Sequence, residues 1–195
     1  RVLDALRGVD SLENIAVVAD DAVLQTLDDV QKIAAQGRMV DNLLRGLESL
    51  SSDEILVCTC DIPLVTAQRF EEFLHGARAK NLEAAYPIVR RAVSEKQFPG
   101  GERTYAKLRD GEFTGGNCVL LPRKILPQLR EVTDVVYNAR KNPLALAKLL
   151  GARFLLRFLT RQLQVAQIEA KAATVLGCRV GAVEMQDASI AFDVD

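Results

Sequence analysis

Residues 55–66 read ILVCTCDIPLVT. Ile55 to Cys60 is a run of strand-forming residues, Asp61 closes it, and Pro63 follows two positions later. An apolar run of this length, stopped by a turn signal, is expected as a strand buried within a sheet. Pro63 limits how far strand geometry can continue. Ligands of open parallel sheets bind at the carboxyl ends of the strands, which is where Asp61 would stand. A carboxylate there can hold a hard cation such as Mg²⁺ through oxygen. It can equally cap a turn or the next helix, and spacing alone leaves both readings open.

The flanking segments set the fold class. Upstream, Ile15–Ala19 (IAVVA) reads as a buried strand. In MVDNLLRGLESL, Val40, Leu43, Leu44 and Leu47 recur at helical spacing. Downstream, TAQRFEEFLHGARAKN reads as a helix with Thr66 as N-cap, since its hydroxyl can accept an unpaired amide hydrogen. EAAYPIV is a further strand. This alternation predicts an α/β fold, a Rossmann-like mostly parallel sheet with helices on both faces.

The order then changes. RTYAKLRDGEFTGGNCVLLP reads as a β-hairpin around Asp110–Gly111. Residues 131–177 read as a C-terminal helical insertion, with Pro143 in a first helical turn and Gly177 as a stop. RVGAVEM and SIAFDVD are expected as closing strands. With no internal repeat and no low-complexity linker, residues 1–195 read as a single domain.

The totals exclude several function classes. Of 195 residues, 49% are hydrophobic and 26% charged, a globular balance. A formal net charge of -1 gives no reason to expect nucleic acid as a partner. No apolar run reaches the roughly 18 residues that a membrane span needs. The four cysteines, at 58, 60, 118 and 178, match neither a disulfide scaffold nor a paired zinc motif, so a cytoplasmic location is expected. Cys58 and Cys60 read as buried small hydrophobes, and His75 as a surface residue.

A second acidic feature closes the chain. In FDVD, Asp193 and Asp195 alternate with Phe192 and Val194, so on a strand both carboxylates face one way. Mg²⁺ sites that handle phosphates use one or two carboxylates plus phosphate oxygens, which Asp61 and one of this pair would satisfy. Two solvated acids on an exposed strand end is the plainer alternative.

These residues carry a resemblance. ILVCTCDIPLVT resembles the segment in which nucleotidyltransferases of the molybdenum-cofactor guanylyltransferase type carry their metal-binding aspartate. QGRMVDNLLRGLESL resembles that family's nucleotide-side helix, FTGGNCVLLP its acceptor-side strand, and FDVD the start of its C-terminal acidic pattern. The likeness covers most of Arg1 to Pro122 and the last dozen residues. It implies transfer of a nucleoside monophosphate from a nucleoside triphosphate to a phosphorylated or hydroxyl small-molecule acceptor, with release of pyrophosphate. Asp61 and Asp195 would be catalytic, and Asp61, Asp193 and Asp195 would hold Mg²⁺. Gly37, Arg38 and Asn42 would border the nucleotide. The family's glycine-rich phosphate loop is not among these residues, and the resemblance implies that it precedes Arg1 in the intact chain.

On the acceptor side, Thr114, Gly115, Gly116 and Asn117 form a compact stretch where backbone can approach a ligand, though a plain loop explains the glycines equally well. Arg103 and Lys107 face alike on a strand and could meet an acceptor phosphate, or remain solvated hairpin charges. Between Asp134 and Glu169 there is no acidic residue, yet Arg140, Lys141, Lys148, Arg153, Arg157 and Arg161 occur. The apolar stretch LALAKLLGARFLLRFL favours core packing or a homodimer through the 143–176 helices. A basic groove for an acidic substrate is a further reading. Competing with the enzyme are a non-catalytic nucleotide- or partner-binding module on the same fold and a nucleotide-sugar glycosyltransferase using DVD.

Overall fold

The computed structural model describes residues 1–101, 103–130 and 151–194. Helix α1 (Val2–Arg7) opens the chain, followed by β1 (Ala16–Ala19), a short α2 (Asp21–Leu24) and β2 (Gln31–Ala34). Next come α3 (Met39–Ser49), β3 (Glu54–Cys58), α4 (Ala67–Ala79), β4 (Ala84–Arg90) and α5 (Arg91–Gln97). Strands β5 (Ala106–Leu108), β6 (Gly111–Gly115) and β7 (Cys118–Pro122) lead into a 3₁₀ turn (Arg123–Ile125) and a helix that starts at 126. After the undescribed 131–150 come α6 (Ala152–Leu159), α7 (Val165–Leu176), β8 (Val180–Met185) and a 3₁₀ turn (Ser189–Ala191).

Strand β4 is the centre of a six-stranded sheet. Along one edge β8 runs parallel to it, from Ala84↔Val180 to Val89↔Met185. Its other edge is shared: Ala85 faces Leu120 of β7, while Ile88–Arg90 face Gly115–Phe113 of β6. β7 reaches outward to pair with β3, and β6 pairs with β5. β6 and β7 are therefore two halves of one run, bent at Gly116–Asn117. β3, β4, β5 and β8 point one way and this bent run points the other. The expected mostly parallel sheet holds in strand direction, and the antiparallel ladders all come from the single reversed run. β1 and β2 form a separate parallel pair.

Helices cover both faces, as expected. On one, Phe70, Phe73, Leu74 and Ala77 of α4 and Ala5 of α1 pack on Ala85 and Val89 of β4. On the other, Leu47 of α3, Ile125 and Leu176 of α7 pack on Ile55 and Leu121. Apolar side chains recurring every third or fourth residue produce each buried stripe.

Several elements differ from the sequence reading. β1 is half-buried rather than buried, because its partner β2 covers a single edge. α2 and β2 are only four residues each and α5 is largely polar, so no apolar period announces them. The hairpin loop is Arg109–Asp110, since Leu108 pairs with Gly111. Gly111 sits at φ +145°, and a Cβ there would meet Arg90 Nη1 at 2.8 Å. Thr66 occupies the α4 N-cap but its hydroxyl makes no capping bond. Gly177 does stop α7, at φ +65°.

Gly151 precedes α6 as its N-cap, at φ +93°. α6 exposes Leu156, Phe158 and Leu159 to solvent. Pro143, the basic residues Arg140, Lys141 and Lys148, and the first part of the expected dimer helices lie outside the described residues. Among the described residues no helix is long and apolar enough to cross a membrane.

Candidate metal and nucleotide site

The Asp61 turn is fastened from both sides. β3 ends at Cys58, two residues earlier than expected, and the Thr59 amide extends its ladder by donating to Asn117 O at 3.0 Å. Beyond Asp61 the chain drops Ile62 into the core, fully buried. Val65 N–H then donates to Ile62 O at 3.2 Å, closing a turn with Pro63 at its second position. Pro63 presets the backbone angle and Ile62 anchors it, so Asp61 is held half-buried at the carboxyl end of β3.

The Asp61 carboxylate accepts a short hydrogen bond from the Thr59 hydroxyl. Among the described residues it has no ion-pair partner. A half-buried carboxylate without an ion-pair partner leaves oxygen available to a divalent cation.

The C-terminal segment reaches this turn by a different route from the expected strand. Asp187 Oδ1 accepts the Ser189 amide at 2.8 Å, and Gln97 Oε1 accepts the Ala188 amide at 2.8 Å. These bonds turn the chain into the 3₁₀ segment at 189–191. Ile190 and Ala191 are buried, and Ile190 O accepts the Asn117 amide at 3.0 Å. Phe192 then packs on Phe98 with ring centroids 4.2 Å apart. Finally Val194 N–H donates to Asp61 O at 2.9 Å.

Asp61 and Asp193 are thus brought to one rim of the sheet by their backbones. Asp195, expected as their companion, lies outside the described residues. The Asp193 carboxylate forms an ion pair with Arg103, whose side chain is only 11% exposed and whose Nη2 also donates to Gly115 O at 3.4 Å. Burial would raise the Asp187 carboxyl, but hydrogen bonds from Ser189 and Gln97 and the charge of Arg69 hold it below the usual carboxylate range.

Arg103 and Lys107 do not converge. Arg103 precedes β5 and turns inward to Asp193, while Lys107 lies on the edge strand, exposed, opposite Glu112. Thr114 is buried. A Cβ on Gly115 would collide with the Tyr86 hydroxyl, and one on Gly116 would lie 2.7 Å from Pro87 Cγ and 3.2 Å from Ile190 O. Close packing in the fold therefore accounts for both glycines. Asn117 sits between Thr59 and Ile190, joined to each through its backbone.

Gly37, at φ +71°, leads into α3. Arg38 grips Asp41 with Nε and Nη2, both at 2.9 Å, and its guanidinium holds the Asp41 carboxyl below the usual range. Asn42 Oδ1 accepts the Gln36 amide at 2.7 Å. These bonds order the loop ahead of α3, which belongs to the same side of the sheet as Leu47.

Two residues escaped the sequence reading. Thr59 supports the Asp61 carboxylate, and only the alternation of a hydroxyl with two cysteines hinted at it. Tyr86, half-exposed on β4 over Gly115, has its phenol pushed up by burial, with Cys118 adding to and Arg103 opposing that shift. Burial, then Cys60 and Asp61, pushes Cys58 up to about 11, and burial also raises Cys118. Both remain thiols, which suits the structural reading for Cys58, whereas Cys60 lies beyond the end of β3 and is exposed, so it is not the buried hydrophobe expected.

The donors available to a metal are hard oxygens. Among the described residues no three His, Cys, Asp or Glu side chains gather into a metal cluster. A cation held here would rely on at most the paired carboxylates and its substrate's phosphates, a set that fits Mg²⁺ better than zinc.

Comparison with curated proteins finds no match. Among solved structures the chain is similar to a hypothetical transferase from Thermus thermophilus, 34% identical with a TM-score of 0.85, covering 100% of this chain and 81% of that one. It shares its fold with 4-diphosphocytidyl-2C-methyl-D-erythritol synthase from Anaerococcus prevotii, at 11% identity, TM-score 0.58, and 98% and 77% coverage. The 2-C-methyl-D-erythritol 4-phosphate cytidylyltransferase from Thermus thermophilus follows, at 13% identity, TM-score 0.52, and 100% and 82% coverage. A family model matches residues 1–165, and the chain belongs to the family it describes, the MobA-like NTP transferase domain.

Proposed function

We propose that the protein is a Mg²⁺-dependent nucleotidyltransferase that moves a nucleoside monophosphate from a nucleoside triphosphate to a small phosphorylated or hydroxyl acceptor. The observation that carries this reading is the Asp61 carboxylate, without an ion-pair partner among the described residues and fastened by Val194 to the segment bearing Asp193. Family membership supplies the reaction class.

In the reaction an acceptor oxygen forms a bond to the α-phosphorus as the bond to the bridging oxygen of pyrophosphate breaks. Asp61 and Asp193, with Asp195, would hold Mg²⁺, which when bound supplies positive charge against the triphosphate oxygens. Thr59 fixes the Asp61 carboxylate through its hydroxyl. Arg103 neutralises Asp193 and keeps two carboxylates tolerable in each other's vicinity until a cation takes its place. Gly37, Arg38 and Asn42 form the nucleotide side of the proposal, and Asn117 with the backbone near Gly115 the acceptor side. Little proton transfer is needed, which suits a chain with a single histidine.

Full-length protein with Mg²⁺ and each of the four common nucleoside triphosphates should be stabilised against heat by at least one of them, and should release pyrophosphate when the right acceptor is added. Asp61→Asn should cut that release by about 10²-fold or more. A variant that binds and turns over nucleotide as the parent does would overturn the assignment.

A further inference from the structure

The basic helical block has an unclaimed counterpart elsewhere in the fold. A cavity of about 600 Å³ opens between the β5–β6 loop, α6 and the start of α7, lined by Arg109, Arg157, Gln162, Gln164 and Gln167. Arg109 comes from the hairpin loop and Arg157 from α6, so two separate elements deliver the two guanidinium groups. Among the described residues neither guanidinium has an ion-pair partner, and no carboxylate lines the cavity.

The elements are pinned, not loosely apposed. Arg109 N–H donates to Leu163 O at 2.9 Å, and Leu163 is 1% exposed. Asp110 Oδ2 accepts the Val165 amide at 3.0 Å, and Gln167 Oε1 accepts the Gln164 amide at 3.2 Å. The nearby acids are engaged: Asp110 on the Val165 amide, and Glu112 on Arg91 at 2.8 Å. Two arginines from separate elements thus border one polar hollow that no carboxylate lines among the described residues, an arrangement suited to an anion.

We infer that this cavity is an anion-binding site that takes the phosphate group of a small phosphorylated molecule. Its volume falls within the range of small-molecule sites. The guanidinium fork matches tetrahedral oxyanions in pairs of hydrogen bonds, and the glutamine amides supply neutral donors for the remaining oxygens. Phosphate accepts more such bonds than a carboxylate does. The site shares no residue with the Asp61–Asp193 centre and does not depend on the proposed reaction.

The test titrates full-length protein with inorganic phosphate and with pyrophosphate, in EDTA and at ionic strength fixed with KCl, by calorimetry and thermal shift. Saturable binding is expected, with Arg109→Gln and Arg157→Gln each weakening it about tenfold. Both side chains belong to exposed residues, so the variants should keep the parent's unliganded midpoint. Arg157→Lys should retain part of the affinity, and Asp61→Asn all of it. A citrate arm separates phosphate from carboxylate recognition. Binding that survives both arginine substitutions, that KCl or citrate reproduces, or that Asp61→Asn abolishes, overturns the proposal.

Discussion

The amide of Val194 donates to the carbonyl of Asp61 at 2.9 Å, joining the turn after β3 to the far end of the described chain. It is the contact that carries Asp193 to Asp61. Val194→Pro removes the donor. Stability should fall by only about 0.5–1.5 kcal/mol, the net worth of one hydrogen bond. Mg²⁺ affinity and nucleotide turnover should fall by much more, measured by calorimetry and pyrophosphate release. A variant that loses stability but keeps both would show that the C-terminal segment has no part in the centre.

Arg103 and Asp193 make a second prediction. Arg103 is nearly enclosed while Asp193 is 38% exposed, so the pair is half screened. Arg103→Gln should cost about 1–2 kcal/mol in urea unfolding, less than a fully buried pair would. It should also free the Asp193 carboxylate, so divalent-cation binding should tighten several-fold. If cation binding weakens instead, Arg103 organises the site and does not compete with the cation.

Acid should act through Asp187. Its folded carboxyl lies below the ordinary value of 3.8, so the unfolded chain takes up the proton first. The stabilisation is therefore fully present above 3.8 and is lost as pH falls through the lowered folded value. Asp187→Asn should lower stability at neutral pH by about 1 kcal/mol. It should also flatten the loss of stability below pH 4. Parallel pH profiles for the parent and the variant would remove Asp187 from the acid response.

Gly116→Ala tests the bend between β6 and β7. The new methyl would lie 2.7 Å from Pro87 Cγ and 3.2 Å from Ile190 O, and neither is the tip of a flexible side chain. Thermal unfolding should show a loss of about 1–3 kcal/mol, typical of overpacking. A neutral substitution would mean that Pro87 and Ile190 can separate freely.

The parts of this fold that were legible are those with a strong apolar period. α3, α4 and β8 stand where Leu44 and Leu47, Phe70, Phe73 and Leu74, and Val183 and Met185 place them. Gly177 marks a helix end because its left-handed angle is readable from residue type. SIAFDVD was misread because Ile190 and Ala191 are buried by a 3₁₀ turn and Phe192 is half-buried against Phe98, with no ladder at any of them. That turn depends on Asp187, Gln97 and Asn117, which no local pattern brings together. The position of Asp61 beyond the carboxyl end of β3 was legible because an apolar strand points at it. The pairing of Arg103 with Asp193 was not legible, since it joins a residue ahead of β5 to one beyond β8 that no local pattern brings together.

The bent run and the late strand have a consequence for synthesis. β4 is emerging long before β8, which completes its free edge, and the Asp61 turn before the segment that Val194 anchors. Ordering so long an intervening chain is entropically slow. A polypeptide still on the ribosome, or one cut short before residue 180, therefore carries an open strand edge and a lone Asp61. The joining of Asp193's segment to the Asp61 turn thus waits until the chain beyond β8 has been made.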